Sequence, residues 1–171
     1  MYSESSPLFR LFTFMKSTLS AAIKQTKPFE SDYHKALVTL KYAANKVNTW
    51  QNNFFAPYGV TPHQFNILRI LRGAKHNSLT INDIKSRMID DNSDVSRILD
   101  RMQKLELVER KTKATDKRSV QVIISPTGLE LLERLDTKMH VTFDTIFEEI
   151  TPDQARQLSK ILDRVIENII D

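Results

Sequence analysis

Apolar residues recur along this chain mostly at intervals of three and four, which predicts helices that each bury one face. Between Ser31 and Phe55, the residues Leu37, Leu40, Ala44, Val47 and Phe54 mark one side of a long helix. Ser31 or Asp32 stands where a cap is needed, and Pro28 bars an earlier continuous start. Tyr33, Ala36, Tyr42, Ala43 and Trp50 widen that stripe, so part of it is expected to face a partner or a ligand. Pro57 and Gly59 then break the chain. Thr61 and Pro62 supply a cap and a first-turn proline for a helix to about Arg72, with Phe65, Ile67, Leu68, Ile70 and Leu71 as its core. Gly73 to Asn77 reads as a loop, and Thr80 as the cap of a short helix, INDIKSRM, ending near Met88.

A few residues later comes DNSDVSRILDRMQK, Asp91 to Lys104, with Val95, Ile98, Leu99 and Met102 at i, i+3, i+4 and i+7. Asp91 can cap this helix, and Asp94 adds negative charge near its positive dipole end. Ser93, Ser96, Arg97, Asp100, Arg101 and Lys104 lie mostly on the other face, a set suited to base edges and phosphates. Next, LVERKTKATDKRSVQVIIS has an apolar start, a polar tip and a Val/Ile-rich return, which predicts a hairpin with a charged loop. Two closely joined helices followed by a basic hairpin make a winged helix-turn-helix.

Ser125 and Pro126 open another helix, with Leu132, Leu135, Met139, Phe143, Ile146 and Ile150 at helical spacing to about Glu149. Thr151 and Pro152 restart the chain in the same way. The last helix carries Leu158, Ile161, Leu162, Val165, Ile166, Ile169 and Ile170. Terminal helices with more apolar surface than a compact winged helix covers predict an interlocked homodimer. At the other end, Leu8, Phe9, Leu11, Phe12 and Phe14 sit in a stretch cut by Arg10 and Lys16, unlike a secretory peptide or a membrane span. Residues 1–29 are read as a weakly anchored extension.

The expected architecture is therefore mainly α with a small β-hairpin. Long helical segments, 30–60 and 126–171, form a dimerisation region around a winged lobe at 61–125. A chain of 171 residues suffices for one domain with helical appendages. Its net charge of +4 is unevenly spread. Residues 61–128 hold 13 Lys/Arg against 8 Asp/Glu, whereas residues 129–171 hold 5 against 10. A basic middle and an acidic end fit a module that neutralises phosphates in one region. The absence of cysteine excludes thiol redox sensing, disulfides and thiolate metal sites, and is compatible with a reducing cytoplasm. Four scattered histidines form no ligand set, and no phosphate loop or nucleophile elbow appears, so neither a cofactor nor enzyme activity is expected.

The strings DVSRILDRMQKLELVERK and DKRSVQVIISPTG make the chain resemble the MarR family of bacterial transcription regulators over roughly residues 31–170. Asp116 and Arg118 match an Asp-x-Arg signature in the family's wing, and Ser125 and Gly128 match the start of the helix that follows it. The resemblance implies a dimeric, six-helix winged-helix repressor or activator that reads a pseudo-palindrome in double-stranded DNA. Arg97 and Arg101 would contact guanine in the major groove, with Ser93, Asp94 and Ser96 as shorter contacts. Arg118 would enter the flanking minor groove, where the potential is most negative, with Asp116 orienting an arginine. Lys111, Lys113 and Lys117 would hold the phosphate backbone. Arg97 or Arg101 could instead pair with Asp94 or Asp100 on the same helix. Family members usually have glycine after the recognition helix, where Leu105, Glu106 and Leu107 stand here, which predicts a looser or strained turn.

The family further implies a small aromatic or phenolic effector, for which Tyr33, His34, Trp50, His63 and Phe65 are the lining residues to consider. The competing reading is a winged-helix adaptor that binds another protein, kept open by the acidic residues of the recognition helix.

Overall fold

A computed structural model describes residues 18–74, 78–113 and 116–170, in two compact units that divide between Pro62 and His63. In the first unit, α1 (Thr18–Ala22) falls within the stretch expected to be an extension, and Leu19 and Ser20 are buried. The apolar run from Leu8 to Phe14 lies outside the described residues. Helix α2 (Asp32–Phe55) begins as expected, because the Ser31 hydroxyl accepts the N–H of His34 at 3.1 Å. It ends in a tight turn, Ala56–Tyr58, closed by Gly59 at φ +68°, a backbone that glycine adopts without steric cost. Trp50, Phe54 and Tyr58 stack in series there, with ring centroids 5.5 and 5.9 Å apart.

The second unit opens with α3 (Pro62–Gly73), followed by β1 (Leu79–Thr80) and α4 (Ile81–Lys85). Thr80 ends β1 and caps α4 at once: its hydroxyl accepts the Asp83 N–H while the Asp83 carboxylate accepts the Thr80 N–H. The Thr80 hydroxyl also donates to the Asp83 carboxylate at 2.7 Å, and this bond first, then that from the Thr80 backbone N–H, holds the Asp83 carboxyl below the usual carboxylate range. Helix α4 is shorter than the expected span to Met88. From Ser86 on, the chain tightens into three-residue hydrogen bonds, Arg87 N–H to Ile84 and Met88 N–H to Lys85, that bury Met88.

Helix α5 (Val95–Lys104) leads to the hairpin of β2 (Val108–Lys113) and β3 (Asp116–Ile124). The three strands are antiparallel in the order β1-β3-β2, so the Val/Ile-rich return is the central strand. Strand β1 was too short to be read from alternation. It pairs Leu79 with Val122 and Thr80 with Gln121, and the Ser78 hydroxyl donates to Gln121 Oε1 at 2.8 Å. Beneath the sheet, Ile67, Leu68, Leu71, Ile84, Leu99, Met102, Val122, Leu132 and Leu135 are fully buried and form the core.

Helix α6 (Pro126–Ile146) is capped by Ser125, whose hydroxyl accepts the Gly128 N–H and donates to the Glu106 carbonyl at 2.6 Å. Asp136 on α6 meets Arg72 at 2.5 Å and Arg69 at 3.6 Å. These ties join α6 to α3, and residues 126–171 fall in the same compact unit as the winged lobe. Helix α6 stops short of the expected Glu149, because the Ile150 N–H turns back to Phe147 before Thr151 starts α7 (Pro152–Ile170). Thr151 and Gln154 cap α7 reciprocally, and no residue of α7 is buried.

Candidate nucleic-acid interface

Three bonds fix the start of α5. The Asp94 carboxylate accepts the Arg97 N–H at 3.1 Å and is the N-cap, which places the helix start three residues later than a cap at Asp91 would. Asp91 is left exposed in the preceding turn. Before it, His63 Nε2 donates to Asp90 at 3.0 Å, and the Ile89 N–H donates to Asn66 Oδ1 at 3.2 Å. Both acceptor and donor belong to α3, so α3 sets where α5 begins. The Asp90 carboxyl is held below its ordinary range, first by the His63 hydrogen bond and then by the Asn92 N–H.

Val95, Leu99 and Met102 bury the inner face of α5. At 100° per residue, the opposite face presents Arg97, Asp100, Arg101 and Lys104, with Ser96 at its edge, and all five are exposed. Among the described residues, Arg97, Arg101 and Lys104 form no ion pair, so intrahelical pairing with Asp94 or Asp100 is not what this structure adopts. Asp94 is engaged as the cap. Asp100 pairs instead with Arg110 of β2, Nη1 to Oδ1 at 2.7 Å, while Arg110 Nη2 donates to the Ser96 carbonyl at 3.1 Å. Ser93 is less accessible than a base contact needs, since its Oγ is enclosed.

On the hairpin, Lys111 is exposed and lies 3.3 Å from Glu109, its same-face neighbour two residues back along the strand. Such an exposed pair leaves Lys111 able to turn to another anion. The side chains of Lys113, Asp116, Lys117 and Arg118 lie outside the described residues. Their backbone belongs to the strand ends, where Lys113 pairs with Asp116.

Residues 58–119 match the model of the MarR family. The HTH-type transcriptional regulator YsmB of Bacillus subtilis (strain 168) is 29% identical over 139 residues, covering 80% of this chain and 92% of YsmB. A MarR-family regulator from Silicibacter pomeroyi superposes with a TM-score of 0.61 at 25% identity, over 78% of this chain and 89% of that one. The MepR–DNA complex of S. aureus gives a TM-score of 0.68 at 16% identity, over 81% and 99%. Over residues 58–119 the chain is thus similar to the MarR family, and it shares its winged helix-turn-helix fold with MarR-family regulators.

In this chain, Glu106 occupies the left-handed position after α5, at φ +57°. The exit is regular: the Leu107 N–H reaches the Met102 carbonyl and the Glu106 N–H the Gln103 carbonyl, which is a Schellman motif. The expected strain is therefore borne by one residue, and the turn is not loosened. Of the five residues considered for an effector, Tyr33, His34 and Trp50 lie on α2, and His63 and Phe65 lie on α3. Tyr33 is 89% exposed, His34 stands edge-on to Phe29, and Trp50 lies about 25 Å further along the same helix at 1.5 Å per residue. His63 is tied to Asp90, and buried Phe65 has the Arg69 guanidinium 5.9 Å from its ring centre.

Arg110, which ties β2 to α5, is the residue of this face that the sequence reading passed over. Alternation puts it on the same strand face as buried Val108, where an arginine needs a carboxylate partner. That was the available signal. His63 and Asn66 gave none, because their partners are 27 and 23 residues away in sequence.

Proposed function

We propose that this chain is a MarR-family regulator that binds double-stranded DNA as a homodimer, each α5 entering a major groove of a pseudo-palindromic operator and each hairpin tip reaching the flanking minor groove. One observation carries the reading: Arg97 and Arg101 share the exposed face of α5 without ion pairs among the described residues, beside a lysine-rich hairpin. Forked cationic side chains on a supported helix suit guanine edges and phosphates. The acidic residues that favoured a protein-binding adaptor have other occupations, Asp94 as a cap and Asp100 in its pair with Arg110.

The second copy is called for by α7 and the end of α6. Leu158, Ile161, Ile166 and Ile169 stay exposed on α7, as do Val141, Ile146 and Phe147 before it. A stripe of this length is covered when two copies pack it together. A small aromatic effector that shifts DNA affinity completes the proposal, with Tyr33, His34, Trp50, His63 and Phe65 as the residues to vary. No helix among the described residues is long and apolar enough to cross a membrane, and we place the protein's work in the cytoplasm with its DNA.

Mobility shift with promoter DNA tests the reading. Arg118→Ala is expected to weaken binding sharply, and affinity to fall steeply as salt rises. Undiminished binding by that variant together with salt-independent affinity would overturn it.

A further inference from the structure

Asp100 presents a conflict on the face that the DNA-binding reading assigns to the groove. It is a carboxylate at 59% side-chain exposure, three residues after Arg97 and four before Lys104. Both spacings bring opposite charges together on a helix. Left to itself, α5 would offer Asp100 two cations from its own reading face, and each such pair would withdraw a cation from phosphate or base.

The neighbouring strand supplies a better partner. Arg110 comes from β2 at 21% side-chain exposure, so its charge is less screened than those of the helix. Its guanidinium bonds Asp100 at 2.7 Å and the Ser96 carbonyl at 3.1 Å, two points one helical turn apart. A rigid fork fixed at two points loses less freedom on pairing than a long side chain reaching along an exposed helix. We infer that Arg110 is a positioning residue of the reading face, which by holding Asp100 keeps Arg97 and Lys104 out of intrahelical pairs and cancels a negative charge in the groove. The inference rests on the DNA-binding reading and adds to it a charge-masking role for the wing strand.

The test uses the full-length protein and a duplex that the wild type selects from a random-sequence pool, with binding read by fluorescence anisotropy and folding by circular dichroism. Arg110→Ala is expected to weaken binding about tenfold. Arg110→Lys keeps a cation beside Asp100 and stays within a few fold of wild type. Asp100→Asn binds as tightly as wild type or tighter. Combining Asp100→Asn with Arg110→Ala restores most of the lost affinity, which a purely mechanical clamp or a direct DNA contact by Arg110 would not allow. Wild-type affinity in Arg110→Ala, a double variant as weak as Arg110→Ala, or weakened binding by Asp100→Asn alone would each overturn the inference. If Arg110→Ala fails to fold, Asp100→Asn and Arg110→Lys still decide it. A wild type that selects no duplex sinks the DNA-binding reading and this inference with it, whereas a wild type that binds while Arg110→Ala matches it sinks the inference alone.

Discussion

Glu106 and Gly128 sit on either side of one carbonyl-lined corner and make opposite conformational demands. Glu106 takes a left-handed backbone with a Cβ that crowds the following carbonyl. Glycine would meet the same Schellman geometry without that crowding, so Glu106→Gly is expected to raise stability by about 0.5–1 kcal/mol in urea unfolding. Gly128 is the reverse. A Cβ built there falls 2.3 Å from the Leu107 carbonyl oxygen, a backbone atom that cannot rotate away. Gly128→Ala is expected to cost about 1–3 kcal/mol in the same assay. Sequence alone marked both positions, one as a missing glycine and one as part of a helix-start motif. The reason for Gly128 stayed hidden, because the close approach comes from Leu107, which is far away along the chain and near only after the hairpin has formed.

At the scale of elements, the helix-turn-helix is held by capping and by two carboxylates that fold in a depressed state. The carboxyls of Asp83 and Asp90 are both held below the ordinary carboxylate range in the folded protein. A depressed carboxyl contributes stability above its unfolded pKa and loses it as pH falls through the folded value. The turn between α4 and α5 should therefore loosen on acidification below the ordinary carboxylate range. His63→Ala should move the Asp90 titration back toward the ordinary carboxylate range, as carbon-detected NMR of the side chain would show; an unmoved titration would assign the depression to the Asn92 N–H and the Ser93 hydroxyl.

Helices α2, α5, α6 and α7 were legible because each has a polar cap and a periodic stripe. What escaped were features made by partners far apart: strand β1, only two residues long, and the hold of α3 on α5 through His63 and Asn66. Asp91 was misread as a cap because aspartates at 90, 91 and 94 are equivalent candidates in sequence. Backbone geometry chose Asp94.

For the whole molecule, the proposed dimer and the charge distribution make a joint prediction. Ile161 is 58% exposed near the middle of α7. Ile161→Asp is expected to yield monomers in sedimentation velocity and to cut operator affinity, because the two half-sites would then be bound independently. A variant that sediments as wild type would place the partner interface elsewhere. The basic middle and acidic end of the chain were plain from residue counts, and they agree with reading and pairing surfaces on different elements.

The hairpin keeps steady register from Val108 opposite Ile124 up to Thr112 opposite Val120, then slips so that Lys113 faces Asp116. Between those two pairings β2 advances one residue and β3 four, so the extra chain lies on the β3 side. Insertions or deletions at the tip can thus accumulate without shifting which side chains point inward below. On the proposed DNA-binding reading, trimming or extending that tip would change operator preference while the paired strands beneath it keep their register.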